Sequence, residues 1–320
     1  LMAAALPMMT SQGPLAADKA EAVWPQRPVR LIVSYPAGGV SDVVARALGE
    51  KLTAQLGQPV VIENKAGAGG AIGLDQVVKS APDGYTLGFS SISPLTLSPH
   101  LGKPLFDARK DIVPVVSVMY SPVLLLGTSR LTAKDFSELL AQAKAHPGEI
   151  RWATAGLASL GHILMEQIAH AAKVQITHIP YKGGGQQLND GLSGQFEVLS
   201  TNAGPAVIQH IKAGKLKALA VGAPQRLDSL SQVPTLAELG YKNANVTSVF
   251  GIFAPAGTPP AILAKLNTEF NKALADADIR QRLDATDNVP TGGKAADFAK
   301  QIEAESKANA EIIREANIHN

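Results

Sequence analysis

The chain has 320 residues, 46% of them apolar, and a formal net charge of +2. That length exceeds what one hydrophobic core usually holds, so two domains are expected. The near-balanced charge and 5% aromatic content disfavour a nucleic-acid surface, and the absence of cysteine excludes disulfides, thiolate catalysis and cysteine-ligated metals.

Residues 1–22 are rich in alanine, methionine and leucine and interrupted by Pro7, Gly13 and Pro14. This stretch reads as the tail of a secretory signal, with small-residue cleavage candidates at Ala16-Ala17 and Ala20-Glu21-Ala22; a disordered leader or a transit remnant is the alternative. No later stretch approaches the ~18 apolar residues of a membrane span, so no membrane insertion is expected. After Trp24, strands are predicted at 29–34, 60–63, 86–90, 112–118, 123–127, 150–153, 176–179, 196–200, 216–221 and 246–253. Helices are predicted at 41–56, 69–80, 135–146, 159–172, 184–193 and 204–213. The C-terminal part is expected to be helical, with one helix opening at Thr258-Pro259-Pro260 and another over 295–317. This alternation implies an α/β fold with mainly parallel sheets. The proline- and serine-rich stretches 91–110 and 222–245 are the candidates for crossings between domains.

The most informative stretch is the first strand, the turn Tyr35-Pro36-Ala37-Gly38-Gly39, and the helix that follows. Val44, Leu48, Leu52 and Leu56 recur every four residues, giving that helix one buried face. A glycine turn that empties into a helix leaves free N–H groups able to hold an anion without a basic side chain. Similar glycine-bearing loops follow strands at 64–70, 155–159 and 180–186. Together they could form an anion cradle at the carboxyl ends of the strands; singly, each could be a plain tight turn. Gly67-x-Gly69-x-x-x-Gly73 lacks the spacing and the acidic partner of a dinucleotide turn. Asp42 in the first helical turn is either a cap and dipole partner or a group that orients water or meets an ammonium. Lys182 either charges the site or is a solvated loop lysine. Ser41, Ser159 and His162 invite a hydrolase reading, but there is no Gly-x-Ser-x-Gly elbow, and Ser159 reads better as an N-cap. The histidines show no metal-ligand spacing.

The motifs R-P-V-R-L-I-V at 27–33, Y-P-A-G-G-V-S-D at 35–42, G-Q-P-V-V-I-E-N-K-A-G-A-G-G at 57–70 and P-D-G-Y-T-L at 82–87 occur in this order. H-I-P-Y-K-G at 178–183, G-K-L-K-A-L-A-V at 214–221, V-P-T-L-A-E-L-G at 233–240 and F-G-I-F-A-P-A-G-T-P at 250–259 follow. With these, the chain resembles the Bug-type substrate-binding proteins of tripartite tricarboxylate transporters, over about 24–318. The resemblance implies a two-domain periplasmic-binding-protein type II fold, a clamshell with its ligand cleft between domain 1 (23–121 and 247–320) and domain 2 (122–246). It implies a periplasmic, monomeric receptor, without cofactor, that delivers a small carboxylate to membrane transporter subunits. By matching position it implicates Tyr35, Pro36, Ala37, Gly38, Gly39, Ser41 and Asp42 on one side. Tyr181, Lys182, Gly183 and Gly184 would face them, with Ala68, Gly69, Ser91, Gly156, Ser159, His162 and Asn202 completing the site. Two departures, Val249 where the family often has tryptophan and the bulky Leu157 and Leu160 before His162, are expected on the distal wall of the pocket. A sensory receptor with the same site, or an enzyme on a similar fold, are the rival readings.

Overall fold

The computed structural model describes residues 24–318; the expected secretory leader lies outside them. In chain order the elements begin with β1 (Val29–Val33), α1 (Val40–Leu56), β2 (Val60–Asn64), α2 (Ala71–Val78) and β3 (Thr86–Ser91). Two short helices, α3 (Ser93–Thr96) and α4 (Ser98–Leu101), lead into the long strand β4 (Ile112–Gly127). Then come α5 (Phe136–Ala145), β5 (Arg151–Thr154), α6 (Leu160–Ala172), β6 (Thr177–Pro180), α7 (Gly184–Leu192), β7 (Val198–Asn202), α8 (Pro205–Lys212) and β8 (Lys217–Gly222). The chain returns through β9 (Thr247–Pro255) and finishes with α9 (Pro260–Leu274), α10 (Ala277–Asp284), β10 (Val289–Pro290) and α11 (Ala295–Glu315).

Pairing sorts these strands into two groups joined through β4. In the first, β1 lies between β2 and β3 in parallel, and β3 pairs antiparallel with β9. Residues 112–122 of β4 pair antiparallel with β9. In the second, residues 123–127 of β4 pair antiparallel with β7 and β8, while β5 runs parallel to β6 and β7. The sheets are therefore mixed rather than mainly parallel. The reason is topological: the chain leaves the first group along β4 and comes back along β9 in the opposite direction, and two strands that cross the same gap in opposite senses pair antiparallel.

The two expected strands 112–118 and 123–127 are one. Pro114 falls at a shift of register against β9, and Pro122 is the last residue paired to β9 before β4 changes partners. A proline is tolerated at such bulges and junctions because no ladder donor is needed there. The stretch 91–110 is not the crossing; it folds as α3 and α4, and the change of sheet occurs inside β4.

Each group of strands has its own core. Leu31, Phe89, Ile252 and Leu266 pack with Val44, Leu48 and Leu52 of α1 in the first. Trp152, Leu125, Val198 and Met165 fill one face of the second, and Leu124, Leu126, Leu199 and Phe196 fill the other. Strands covered on both faces carry continuous apolar runs, as L-L-L at 124–126 does. The last helix, α11, bridges the groups. Phe298 near its start packs on Phe253 of β9, and Ile313 near its end packs on Ile163 of α6. No helix among the described residues is long and apolar enough to cross a membrane.

Candidate functional site

A cavity of about 90 Å³ lies between the two groups of strands, walled by the loops after β1, β3, β5 and β7 and by the β4–β9 pair. Among the described residues that line it, none carries a charge. Its polar groups are Tyr35, seven serines and threonines that include Ser41, Ser91, Ser159 and Thr201, and Asn202.

Three helices begin at this cavity with a glycine as N-cap and no side-chain cap. They are α1 after Gly39, α7 after Gly183 and α8 after Gly204. Residues of each first turn line the cavity: Val40 and Ser41 of α1, Gly184 and Gly185 of α7, and Ala206 and Val207 of α8. First-turn N–H groups have no partner within a helix and carry the positive end of its dipole. Pro205 removes one donor from α8 but pre-sets its first turn. Three such termini around one small cavity offer the kind of donors that suit an anion. A fourth helix, α6, is capped by Ser159, whose Oγ accepts from the His162 N–H at 3.3 Å.

Two side chains outside the cavity fix the first lip. The Asp42 carboxylate is buried; it accepts from the Gly38 N–H at 3.0 Å and from Asn64 Nδ2 at 2.9 Å, and pairs with Arg46 at 3.0 Å. Burial pushes its pKa up, but the bonds from Arg46, Gly38 and Asn64 outweigh burial and hold it below the usual carboxylate range. Asp42 therefore clamps the 36–39 turn. Tyr35 Oη lies 2.6 Å from Ser91 Oγ and donates to the Gly69 carbonyl at 3.2 Å, tying the loops after β1, β2 and β3 together. Burial raises its pKa further from neutrality, so it remains a neutral donor.

The second lip meets the first at two glycines. A methyl group on Gly183 would stand 2.2 Å from Pro36 Cδ, and one on Gly69 (φ 61°) 2.7 Å from the Leu157 carbonyl oxygen. At Gly183 the Pro36 ring, and at Gly69 the Leu157 backbone, leave no room for a side chain.

Of the residues predicted from sequence, Tyr35, Pro36, Gly38, Gly39, Ser41, Gly69, Ser91, Ser159, Gly184 and Asn202 line the cavity. Ala37, Asp42, Ala68, Gly156, His162, Tyr181, Lys182 and Gly183 do not. Lys182 is exposed. The Tyr181 hydroxyl donates to Asp190 at 2.8 Å; its pKa is pushed up to about 12, first by burial and then by the Asp190 carboxylate. His162 is buried behind the 155–159 loop, where Nδ1 accepts from the Ala158 N–H at 3.4 Å and the ring stacks on His178 at 4.3 Å. Ser159 Oγ thus meets the backbone of His162 rather than its imidazole, so no nucleophile–base pair exists there. Val249 does not wall the cavity; Ser248 and Phe250 do, and Val249 faces the other side of β9. Leu157 is exposed, while Leu160 lines the cavity.

Sequence reasoning missed Thr201, Gly204, Ala206, Val207, Ser248 and Phe250. The junction Ser200-Thr201-Asn202-Ala203-Gly204-Pro205 carried a readable mark, a strand running through a glycine into a proline-started helix. Ser248 and Phe250 carried none, because their facing depends on how β9 pairs.

Comparison with known proteins identifies the family. Residues 44–318 match the family model described as "Tripartite tricarboxylate transporter family receptor". Protein BugT of Bordetella pertussis is 38% identical over 304 residues, covering 94% of this chain and 92% of BugT. The structure of the periplasmic binding protein BugD superposes with a TM-score of 0.88 at 31% identity, covering 92% of this chain and 99% of that one. MatC from Rhodopseudomonas palustris with bound malate gives a TM-score of 0.86 at 30% identity, covering 91% of this chain and 100% of that one. With the α/β clamshell, the uncharged cavity and these likenesses together, the chain belongs to the tripartite tricarboxylate transporter receptor family of periplasmic solute-binding proteins.

Proposed function

We propose that this receptor binds a small carboxylate between two domains in the periplasm and delivers it to membrane transporter subunits, without turning it over. Domain 1 would comprise 23–121 and 247–320, and domain 2 would comprise 122–246. The observation that carries the carboxylate assignment is the convergence of three uncapped helix N-termini on a cavity lined by no charged residue. A carboxylate held by fixed backbone donors and hydroxyls leaves again without breaking a buried ion pair. α1 belongs to one domain, and α7 and α8 to the other. One carboxylate that touches both sets of donors therefore favours the shut form over the open one. The malate bound by MatC supports the same ligand class. The misalignment of Ser159 with the His162 imidazole supports binding rather than hydrolysis.

Thermal unfolding against mono-, di- and tricarboxylates tests the assignment. A ligand that binds only the folded state adds roughly 2.7 kcal/mol at a hundredfold excess over its Kd. We expect one class of acid to raise the midpoint with concentration, and its methyl ester or amide to leave the midpoint unmoved. An ester that shifts the midpoint as far as its acid, or a flat response to every acid, would remove the carboxylate assignment.

A further inference from the structure

On the far side of the crossover strands from the cavity lies a second, much larger groove of about 920 Å³. Strand alternation separates the two: Ser248 and Phe250 of β9 face the cavity, while Thr247 and Val249 face the groove. In β4, Val123 faces the cavity, and Tyr120 and Pro122 face the groove. Beside the strand pair, Leu160 at the start of α6 lines both spaces.

The groove's chemistry is the reverse of the cavity's. Glu305, Asn309 and Ile312, spaced four and three residues apart on one face of α11, form one wall. The loop after β8 brings Asp228, and the end of α10 with the turn beyond it brings Asp284 and Asp287. The cation in the lining, Arg226, is already committed, at 3.0 Å, to Glu238. One observation beyond the acids points to an occupant. Asn309 is only 9% exposed, lines the groove, and its side chain makes no hydrogen bond within the described residues. Burial raises the pKa of Glu305, whose recorded bond is from Gln301 at 3.0 Å rather than from a cation. Asp287 already accepts from the N–H and hydroxyl of Ser229, but Glu305, Asp284 and Asp228 leave carboxylate acceptors in excess, between apolar side chains that include Tyr120, Val249 and Ile312.

We propose that this groove is a second ligand site, for an organic cation that carries an ammonium on an apolar body. The ammonium fits between Glu305, the Asn309 carbonyl and the Asp284–Asp287 turn; the body lies on Tyr120 and Val249. The site is independent of the carboxylate cavity and requires neither a carboxylate nor the transporter.

The test is titration calorimetry of the whole protein with 2-phenylethylammonium chloride at physiological salt. We expect one saturable site that persists in Gly183→Ala, a change in the cavity's lip. Glu305→Gln and Asn309→Leu, neither of which removes core packing, should each weaken it about tenfold or more. Val249→Trp, which puts an indole where the apolar body would lie, should abolish it in a variant that keeps the wild-type melting temperature. Ethylammonium should bind more weakly than the phenyl compound, and phenylacetate should not compete with it. Absence of heat at millimolar ligand, affinity unchanged in both Glu305→Gln and Asn309→Leu, or competition by phenylacetate would overturn the assignment. A dimer by sedimentation that Val249→Trp dissolves would give the groove to a second copy of the chain, and would overturn it equally.

Discussion

Gly183 is the residue at which the two lips of the cavity touch, with room for a hydrogen but not for a methyl beside Pro36. Gly184, one position on, is less constrained, since a methyl there would meet only Thr201 Oγ1 at 3.2 Å. Gly183→Ala should therefore act as a wedge. The core of each half lies away from the lip and should survive, while the carboxylate loses simultaneous contact with α1 and α7. We expect carboxylate affinity to fall about tenfold or more, ~1.4 kcal/mol per decade, with little change in the unliganded melting temperature. Calorimetry of the variant with the acid found by the thermal panel would show this, and wild-type affinity would mean that the lips do not need to meet for binding. Asp42 and Tyr35 illustrate a different use of a residue beside a site. Neither brings charge to the anion, and both hold the backbone that does.

At the scale of elements, the site is built from strand ends and helix starts, and the pair β6–α6 adds a sensitivity to acid. His178 of β6 stacks on His162 of α6 and lies 2.7 Å from Thr154 Oγ1, and Glu166 lies 3.6 Å from His162 Nε2. Burial first, and repulsion from His162 second, lower the His178 pKa to about 4, with Glu166 pulling the other way. An unfolded histidine titrates near ~6.5. Between those values the unfolded chain holds a proton that the folded chain does not. Stability is therefore complete above about 6.5, is lost as pH falls toward 4, and changes no further from this group below 4. Because the ring is partly exposed, the loss should be about 1 kcal/mol rather than the full linkage value. His178→Gln should flatten that limb in urea midpoints measured across the range. An unchanged limb would assign the loss to other groups, although Asp42 and Glu166, with lowered pKa values, give up their contribution only at lower pH.

At the scale of the molecule, β4 and β9 are the connections on which everything turns. They carry the chain between the two groups of strands, and they wall the uncharged cavity with one face and the acidic groove with the other. Closure about such strands is a rigid-body swing that needs only small changes at a few residues. Saturating carboxylate should reduce the radius of gyration measured by small-angle scattering. In Gly183→Ala the radius should stay at its unliganded value. An unliganded protein already as compact as the liganded one would mean that binding proceeds without a swing.

The elements themselves were legible in the sequence because their causes are local. Val44, Leu48 and Leu52 recur at helical spacing, Gly57 stops the helix, and the strand–glycine–helix junctions at 33–41 and 180–184 mark free N–H groups whatever surrounds them. The ordered motifs were likewise enough to point to the family. Beyond that reach lay everything set by residues distant in the chain. Whether 112–118 and 123–127 are one strand depends on β9, β7 and β8 offering partners on either side of Pro122. Whether Val249 or Phe250 faces the ligand depends on the register of β9 against β4, since a shift of one residue exchanges the two faces. Whether Asp42 meets a ligand or a backbone depends on Asn64 and Gly38 reaching it first. The sequence by itself determined which residues could donate to an anion; only the tertiary structure decided which donors share a cavity, because that requires two groups of strands to be brought face to face.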